Sequence, residues 1–515
     1  MAGAADDRAV PKGEITGEIR WGTARARWLL LATVLGSGLA FLDATSSNVA
    51  LPAIGRDLGT GVAALQWTIN AYTLTLAALI ILGGSLGDRF GRRRVFLIGV
   101  GWFSAASLLC GLAPDAPTLI AARALQGVGG ALLTPGSLAL IQASFAPSDR
   151  ARAVGAWSGL SGIAAAAGPL VGGWLVDLWT WRLIFLTNLP VAAVVAWIAL
   201  RHVPESRDTE RAPGLDFRGA ALAAAGLAAV SWSLIDAGER GGAIASIAIG
   251  AAGLALLAAF AVSQRHSAHP LVPPELFRSR QFTGANLVTV AVYAPLGGLF
   301  FLLFIHLQQV VGYTPVQAGL AALPVTGLLL ILSARAGALA ERAGPRLPMT
   351  LGPLLIAAGL LLHVRIGPGA GYVVDVLPAV AVFGLGLALT VAPLTATVLA
   401  AADARHVGTA SGVNNAIART AGLLAVAALP VVSGITGDAY LDPEAFASGF
   451  RVAMIVCAAI AATGGLIALA TIRDALRDET PACPSSRMGR RYHCAVDGAP
   501  LATRDDARRI GAGAR

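Results

Sequence analysis

Three ionisable side chains stand where a chain this apolar should not tolerate them. Asp43, Arg123 and Arg419 each lie inside a run of some 20 mostly apolar residues. Asp43 is the only carboxylate well inside any such run. A charge in the middle of a bilayer costs about 2.5–3.5 kcal/mol on insertion scales and is rarely kept without a role. Burial disfavours the charged form of a carboxylate, which suits a group that takes up and releases a proton. Arg123 can serve the same proton chemistry, or its side chain can snorkel toward the nearer interface. Arg419 can pair with a polar group across the bundle, meet an anionic ligand, or bond backbone carbonyls.

Other chemistries lack their residues. No Gly-x-x-x-x-Gly-Lys-Ser/Thr loop occurs, and Lys12 is the only lysine, so ATP-driven transport by this polypeptide is excluded. One carboxylate and two arginines well inside the apolar runs make no nucleophile, base or metal cluster, so an enzyme is not expected. Cys110 and Cys457 fall in apolar runs. Cys483 and Cys494, with His493 nearby, lack the paired-ligand spacing of a zinc site and read as free thiols in a polar tail. No metal and no cofactor is expected.

The elements that must position these groups follow from composition. Of 515 residues, 56% are hydrophobic and 13% charged, with a mean hydropathy of +0.70. That is about half the charge of an average soluble protein. Fourteen runs are long enough to span a bilayer as helices. Those used below are span 1 (28–51), span 2 (64–86), span 4 (117–140), span 5 (153–176), span 6 (182–200), spans 7 and 8 (215–236 and 243–262), span 9 (283–307), span 10 (315–338), span 13 (407–431) and span 14 (447–471).

A net charge of +9 would suggest nucleic acid in a soluble protein, but its distribution removes that reading. The side that would hold both termini carries 31 basic against 19 acidic residues, and the other side five against nine. The positive-inside rule therefore places both termini in the cytoplasm, as an even span count requires. Arg outnumbers Lys by 37 to one, which hints at a GC-rich bacterium and its cytoplasmic membrane.

The chain also repeats itself. Gly84-Ser-Leu-Gly-Asp-Arg-Phe-Gly-Arg-Arg93 returns as Gly337-Ala-Leu-Ala-Glu-Arg-Ala-Gly-Pro-Arg346, and Arg152–Leu160 returns as Arg405–Val413, both at an offset of 253. Two six-helix halves with two extra helices between them account for that shift. The expected organisation is a cytoplasmic segment 1–27, a bundle 28–200, a linker with two extra helices 201–281, a second bundle 282–471 and a disordered tail 472–515.

Several motifs then resemble the major facilitator superfamily, and more narrowly its fourteen-helix drug:proton antiporters. The loop after span 2 carries Gly84, Asp88, Arg89, Gly91 and Arg92, which fit the superfamily's loop pattern and imply conformational gating. Span 4 carries Arg123-x-x-Gln126-Gly127-x-Gly129-Gly130, resembling proton-coupled members and implying proton coupling at Arg123. Span 5 carries Gly168-Pro169-x-x-Gly172-Gly173, similar to a helix motif of antiporters, with Ala164 where members often have glycine; helix packing alone would also explain it. Span 1 carries Leu42-Asp43-x-Thr45-x-x-Asn48, similar to the first helix of such exporters. Trp181-Arg182-x-Ile-Phe185-x-x-Asn188-x-Pro190 resembles the entry to span 6, read as a structural corner.

Ser46 and Ser47 are i+3 and i+4 from Asp43 and so share its helical face. They are expected to line a wet cavity around it, unless they only back-bond within the helix. Ser46, Ser47, Asn48, Gln126 and Arg419 are the candidate cavity residues, while His306 is read as interfacial. The positions 253 beyond Asp43 and Arg123 are Leu296 and Val376, so proton chemistry is expected in the first half only. The resemblance implies an exporter, acting as a monomer, that exchanges a lipophilic drug or antibiotic for protons. One dedicated endogenous product is the alternative cargo, and a non-transporting sensor a more distant one.

Overall fold

The computed structural model describes residues 19–207, 214–241, 243–403 and 407–474. The first 18 residues and the tail from 475, with Cys483 and Cys494, lie outside the described residues. Fourteen helices are long and apolar enough to cross a membrane: Ala24–Leu58, Val62–Phe90, Arg92–Gly111, Ala116–Ser144, Pro147–Leu178, Arg182–His202, Phe217–Glu239, Ile244–His266, Arg280–Gln309, Pro315–Ala343, Arg346–His363, Tyr372–Ala400, Val407–Val432 and Pro443–Thr471. They are spans 1 to 14 in order. Among the described residues there is no strand, only an isolated bridge between Ile19 and Phe145.

Local chemistry sets the helix ends. Thr23, Asp115, Asp216, Ser279 and Asp442 accept backbone N–H bonds at the starts of spans 1, 4, 7, 9 and 14. Thr314 and Gln317 form a reciprocal capping box at the start of span 10. Large apolar side chains such as Ile247, Leu254, Ile331 and Leu466 point outward, as a lipid-facing surface allows. The chain is a multi-pass membrane protein.

Span 1 packs on span 5, and span 4 on spans 2 and 3. Later in the chain span 9 packs on spans 13 and 14, and span 12 on spans 10 and 11. Spans 7 and 8 form a hairpin whose first helix lies against spans 2 and 13.

The two repeat segments share one detailed device. Gly91 has φ +107° and Gly344 has φ +90°, and both precede a helix that starts at a turn. Glu205, just after span 6, accepts from the backbone N–H groups of Arg93 and Arg94 at 3.0 and 3.2 Å. Asp474, just after span 14, accepts from Arg346 N–H at 3.1 Å. A Cβ on Gly91 or Gly344 would fall 2.9 Å or 2.1 Å from those carboxylates, so only glycine admits the cap.

Candidate functional site

Asp43 and Arg123 are brought together. Arg123 Nη1 lies 2.5 Å from Asp43 Oδ2, and both residues are fully buried. Gln126 Nε2 donates to Asp43 Oδ1 at 2.8 Å and Asn188 Nδ2 donates to the same oxygen at 3.0 Å. Arg123 also donates to Gln126 Oε1 at 2.6 Å and, through Nε, to the carbonyl of Thr68 at 3.0 Å. Ser107 accepts from Gln126 and Asn188. The guanidinium carbon stands 4.4 Å from the Tyr72 ring centroid and 5.5 Å from that of Phe185. This is a fully buried network supplied by spans 1, 2, 3, 4 and 6. A buried ion pair survives only when its remaining donors and acceptors are also satisfied; here both carboxylate oxygens of Asp43 and the Nε and Nη1 of Arg123 have partners.

The glycines of the span 4 motif permit this approach. A Cβ on Gly127 would meet the Tyr72 carbonyl at 2.3 Å, and one on Gly129 would meet the backbone of Phe103 at 2.6 Å. Span 4 can therefore lie directly on spans 2 and 3, which carries Arg123 to Asp43. Arg123 does not snorkel to an interface.

The span 5 motif clamps span 1. Pro169 has no N–H, so the carbonyl of Ala165 loses its helical donor. The Thr45 hydroxyl stands 3.0 Å from that carbonyl. Gly168 makes room for it, since a Cβ there would sit 1.9 Å from Thr45 Oγ1. Gly172 does the same for Ser46, at 2.6 Å from its Cβ. Gly173 on span 5 and Gly319 on span 10 join the two halves of the chain: added Cβ atoms would lie 2.4 Å from the Pro315 carbonyl and 2.3 Å from the Pro169 carbonyl.

That contact lies at the end of the bundle where odd-numbered spans finish, and two glutamines join the same end. Pro430 frees the carbonyl of Val426, to which Gln66 Nε2 donates at 2.7 Å. Gln308 Nε2 donates to the Val49 carbonyl at 2.9 Å. This end is closed. From it a cavity of about 770 Å³ runs toward the opposite end, where Ser158 and Gly159 are exposed. Span 1 contributes Thr45 and Asn48 to its wall, and span 9 contributes Tyr293, Phe300 and Phe304. Span 5 contributes Gly155, Gly159 and Gly162, around whose Cα atoms an added Cβ would find nothing within 4 Å. No lining residue carries a charge.

Several expectations need correction. Ser46 and Ser47 do not line a wet cavity around Asp43; both are fully buried. They do share the face of Asp43, but that face turns into the early half of the chain, where Ser46 donates to the Leu42 carbonyl at 2.7 Å and packs on Gly172. Gln126 belongs to the ion-pair network, not to the cavity wall. Thr45 and Asn48, on the adjacent face of span 1, are the cavity residues. Arg419 is half-buried and not part of that wall, although it lies near the wall residue Tyr293. His306 is not interfacial: it is fully buried, stacked on Phe450, with Nε2 at 2.9 Å from the Ile366 carbonyl.

In the loop after span 2, Arg92 pairs with Asp88 at 2.7 Å. Asp88 sits at a helix C-terminus and Arg92 at a helix N-terminus, each the wrong charge for the local dipole, so each offsets the other. Gly84 and Arg89 approach no group of the buried network. Asn188, Ser107, Gln66, Gln308 and Glu205 were not singled out for these contacts by residue pattern. A proline four residues beyond a freed carbonyl is the one signal that bears on Gln66.

The sequence model of the Major Facilitator Superfamily matches residues 33–427. The chain is 39% identical over 420 residues to a puromycin resistance protein of Streptomyces alboniger, covering 81% of this chain and 83% of the relative. It is 36% identical to a tetracenomycin C resistance and export protein of Streptomyces glaucescens, covering 84% and 80%. It is also 36% identical to a multidrug resistance protein of Mycobacterium tuberculosis, covering 81% and 77%. Among solved structures, a bacterial homologue of the human lysosomal transporter Spinster superposes with a TM-score of 0.61 at 18% identity, over 88% of this chain and 98% of that one. The xylose transporter XylE from E. coli gives 0.60 at 14% identity, over 87% and 97%. These two share the fold.

Proposed function

The chain belongs to the major facilitator superfamily of membrane transporters, and on that premise we propose that it is an antiporter exporting a lipophilic drug or antibiotic in exchange for protons. The observation that carries the proposal is a division of labour. One buried carboxylate sits in a sealed polar network, and a separate uncharged cavity lies one helix face away.

Protonating Asp43 cancels its charge and leaves Arg123 with Gln126, the Thr68 carbonyl and two aromatic rings. The network then goes from neutral to singly positive and loses its ion pair. Span 1 carries both Asp43 and the cavity residues Thr45 and Asn48, and Thr45 is held to span 5. A change at Asp43 thus reaches the cavity and the span 5–span 10 contact through one rigid helix. In this reading the protein alternates between two states, one proton-bearing and one cargo-bearing.

In this reading both termini are cytoplasmic and the closed end faces outward, so the cavity is presented to the cytoplasm of a bacterium. Residues 28–200 and 282–471 are the two halves that rock about the cavity, and Asp88 with Arg92 braces one of them at its cytoplasmic mouth. The relatives' names include single-antibiotic export and multidrug resistance. An aromatic wall facing a glycine wall suits bulky ring systems in either case. The protein works as a monomer, without cofactor, on the proton gradient.

The test is reconstitution in liposomes with an imposed pH gradient and a candidate lipophilic drug. Accumulation should follow the gradient and collapse with a protonophore; accumulation indifferent to both overturns the proposal. Gly159→Leu should cut transport of large ring systems while sparing small ones, because its side chain enters open space rather than packed protein. Measuring KM across a size series checks this, and uniform loss across the series would count against the cavity.

A further inference from the structure

We infer that the cargo carries an acidic group and that Arg419 receives it. This rests on the export reading above and narrows its substrate class to lipophilic acids, with cationic drugs disfavoured.

The inference follows from how the membrane-embedded charges are compensated. Asp43 is fully committed to Arg123, Gln126 and Asn188. Arg419, within span 13, forms no ion pair and no hydrogen bond among the described residues. Its Nε is buried without a partner. A guanidinium offers five donors and no acceptor, so an unmatched one inside a bundle awaits an anion or remains costly.

Its place points to the cargo site. Gly297 and Gly422 bring spans 9 and 13 into backbone contact, since a Cβ on Gly297 would lie 2.7 Å from Gly422 Cα. Arg419 is one turn before Gly422 and Tyr293 one turn before Gly297, so the contact sets the two side by side. Arg419 lies near the phenols of Tyr293, which lines the cavity, and Tyr72, which lies over Arg123. Neither phenol brings a compensating charge. Arg419 is half-buried rather than sealed, and the glycine contact places it beside the wall residue Tyr293.

A bound carboxylate or phenolate would satisfy the fork bidentately and lay its rings along Tyr293, Phe300 and Phe304. A cationic ligand would face a charge of like sign that has no ion partner among the described residues. The aromatic wall and the arginine together describe an amphiphilic acid.

The test uses purified protein in nanodiscs and three probes with one ring system: 1-pyrenebutyrate, its methyl ester and 1-pyrenebutylamine. The carboxylate should bind about tenfold more tightly than the ester, which corresponds to one charged hydrogen-bonding contact, and the amine more weakly than both. Arg419→Gln should bring the carboxylate down to the ester while leaving the ester unchanged, which also shows that the variant is folded. Arg419→Lys should restore part of the preference. Equal binding of acid and ester by the unaltered protein, or an undiminished preference in Arg419→Gln, overturns the inference. Binding needs no gradient, so loss of proton-driven transport would strike the export reading and leave this result standing.

Discussion

Asp43→Asn is expected to uncouple the protein: in liposomes, a pH gradient should no longer drive accumulation, while exchange of labelled for unlabelled cargo continues. Asparagine keeps the shape of the protonated acid, and its side-chain oxygen can still accept from Gln126 Nε2 and Asn188 Nδ2, which now hold Asp43 Oδ1 at 2.8 and 3.0 Å. It cannot take or give the proton. The variant therefore sits permanently in the state with a lone Arg123 cation, and its exchange rate should become flat with pH across the range where the unaltered protein responds. Retained pH-driven accumulation would remove Asp43 from the proton path.

The partner substitution should behave differently. Arg123→Ala leaves a carboxylate buried without its cation, and breaking a buried pair on one side costs about 3–5 kcal/mol. A large drop in thermal stability and membrane yield should accompany the loss of transport. Removing both charges, in Asp43→Asn with Arg123→Gln, should recover most of that stability and none of the proton drive. A double variant no more stable than Arg123→Ala would mean that the pair contributes through packing on Tyr72 and Phe185 rather than through charge.

Much of this architecture is legible in the sequence because a membrane imposes simple rules. Span lengths, a charge bias and a repeated loop are all local patterns, and each left its mark in contiguous residues. Pairings were not readable in the same way. Asp43 and Arg123 are 80 positions apart, and nothing local distinguishes an arginine that seeks the interface from one aimed at a carboxylate. Asn188 reads as part of a corner, because a single asparagine some two turns after a tryptophan and an arginine carries no directional signal.

The serines show a subtler limit. Helical geometry places Ser46 and Ser47 with Asp43, but which side of span 1 turns inward depends on Gly168 and Gly172 over 120 residues away. The cavity wall was least legible of all. Phe300 and Phe304 have the same residue types as lipid-facing positions, and Gly155 and Gly159 resemble packing glycines. Only the empty space around them separates these roles.

That distinction supports the last expectation, that Gly319→Ala will open the closed end. The Gly319 Cβ would fall 2.3 Å from the Pro169 carbonyl, a backbone atom that no rotamer change can move. Contact at normal separation requires spans 5 and 10 to part by about 1 Å or more. Overpacking of this kind costs about 1–3 kcal/mol, and the cost falls only on the state in which the contact is closed. The equilibrium should shift about 5- to 150-fold toward the alternate state. Spin labels at Leu178 and Leu320 should report a longer distance, and transport should fall because the cycle cannot return. Gly155→Ala provides the matched control, for a Cβ there meets nothing within 4 Å. Alanine favours helix over glycine at both sites, so a shared effect would indicate helix stiffness, and an effect at Gly319 alone would indicate the gate. The chemical change is identical in the two variants; what differs is the backbone oxygen that meets it.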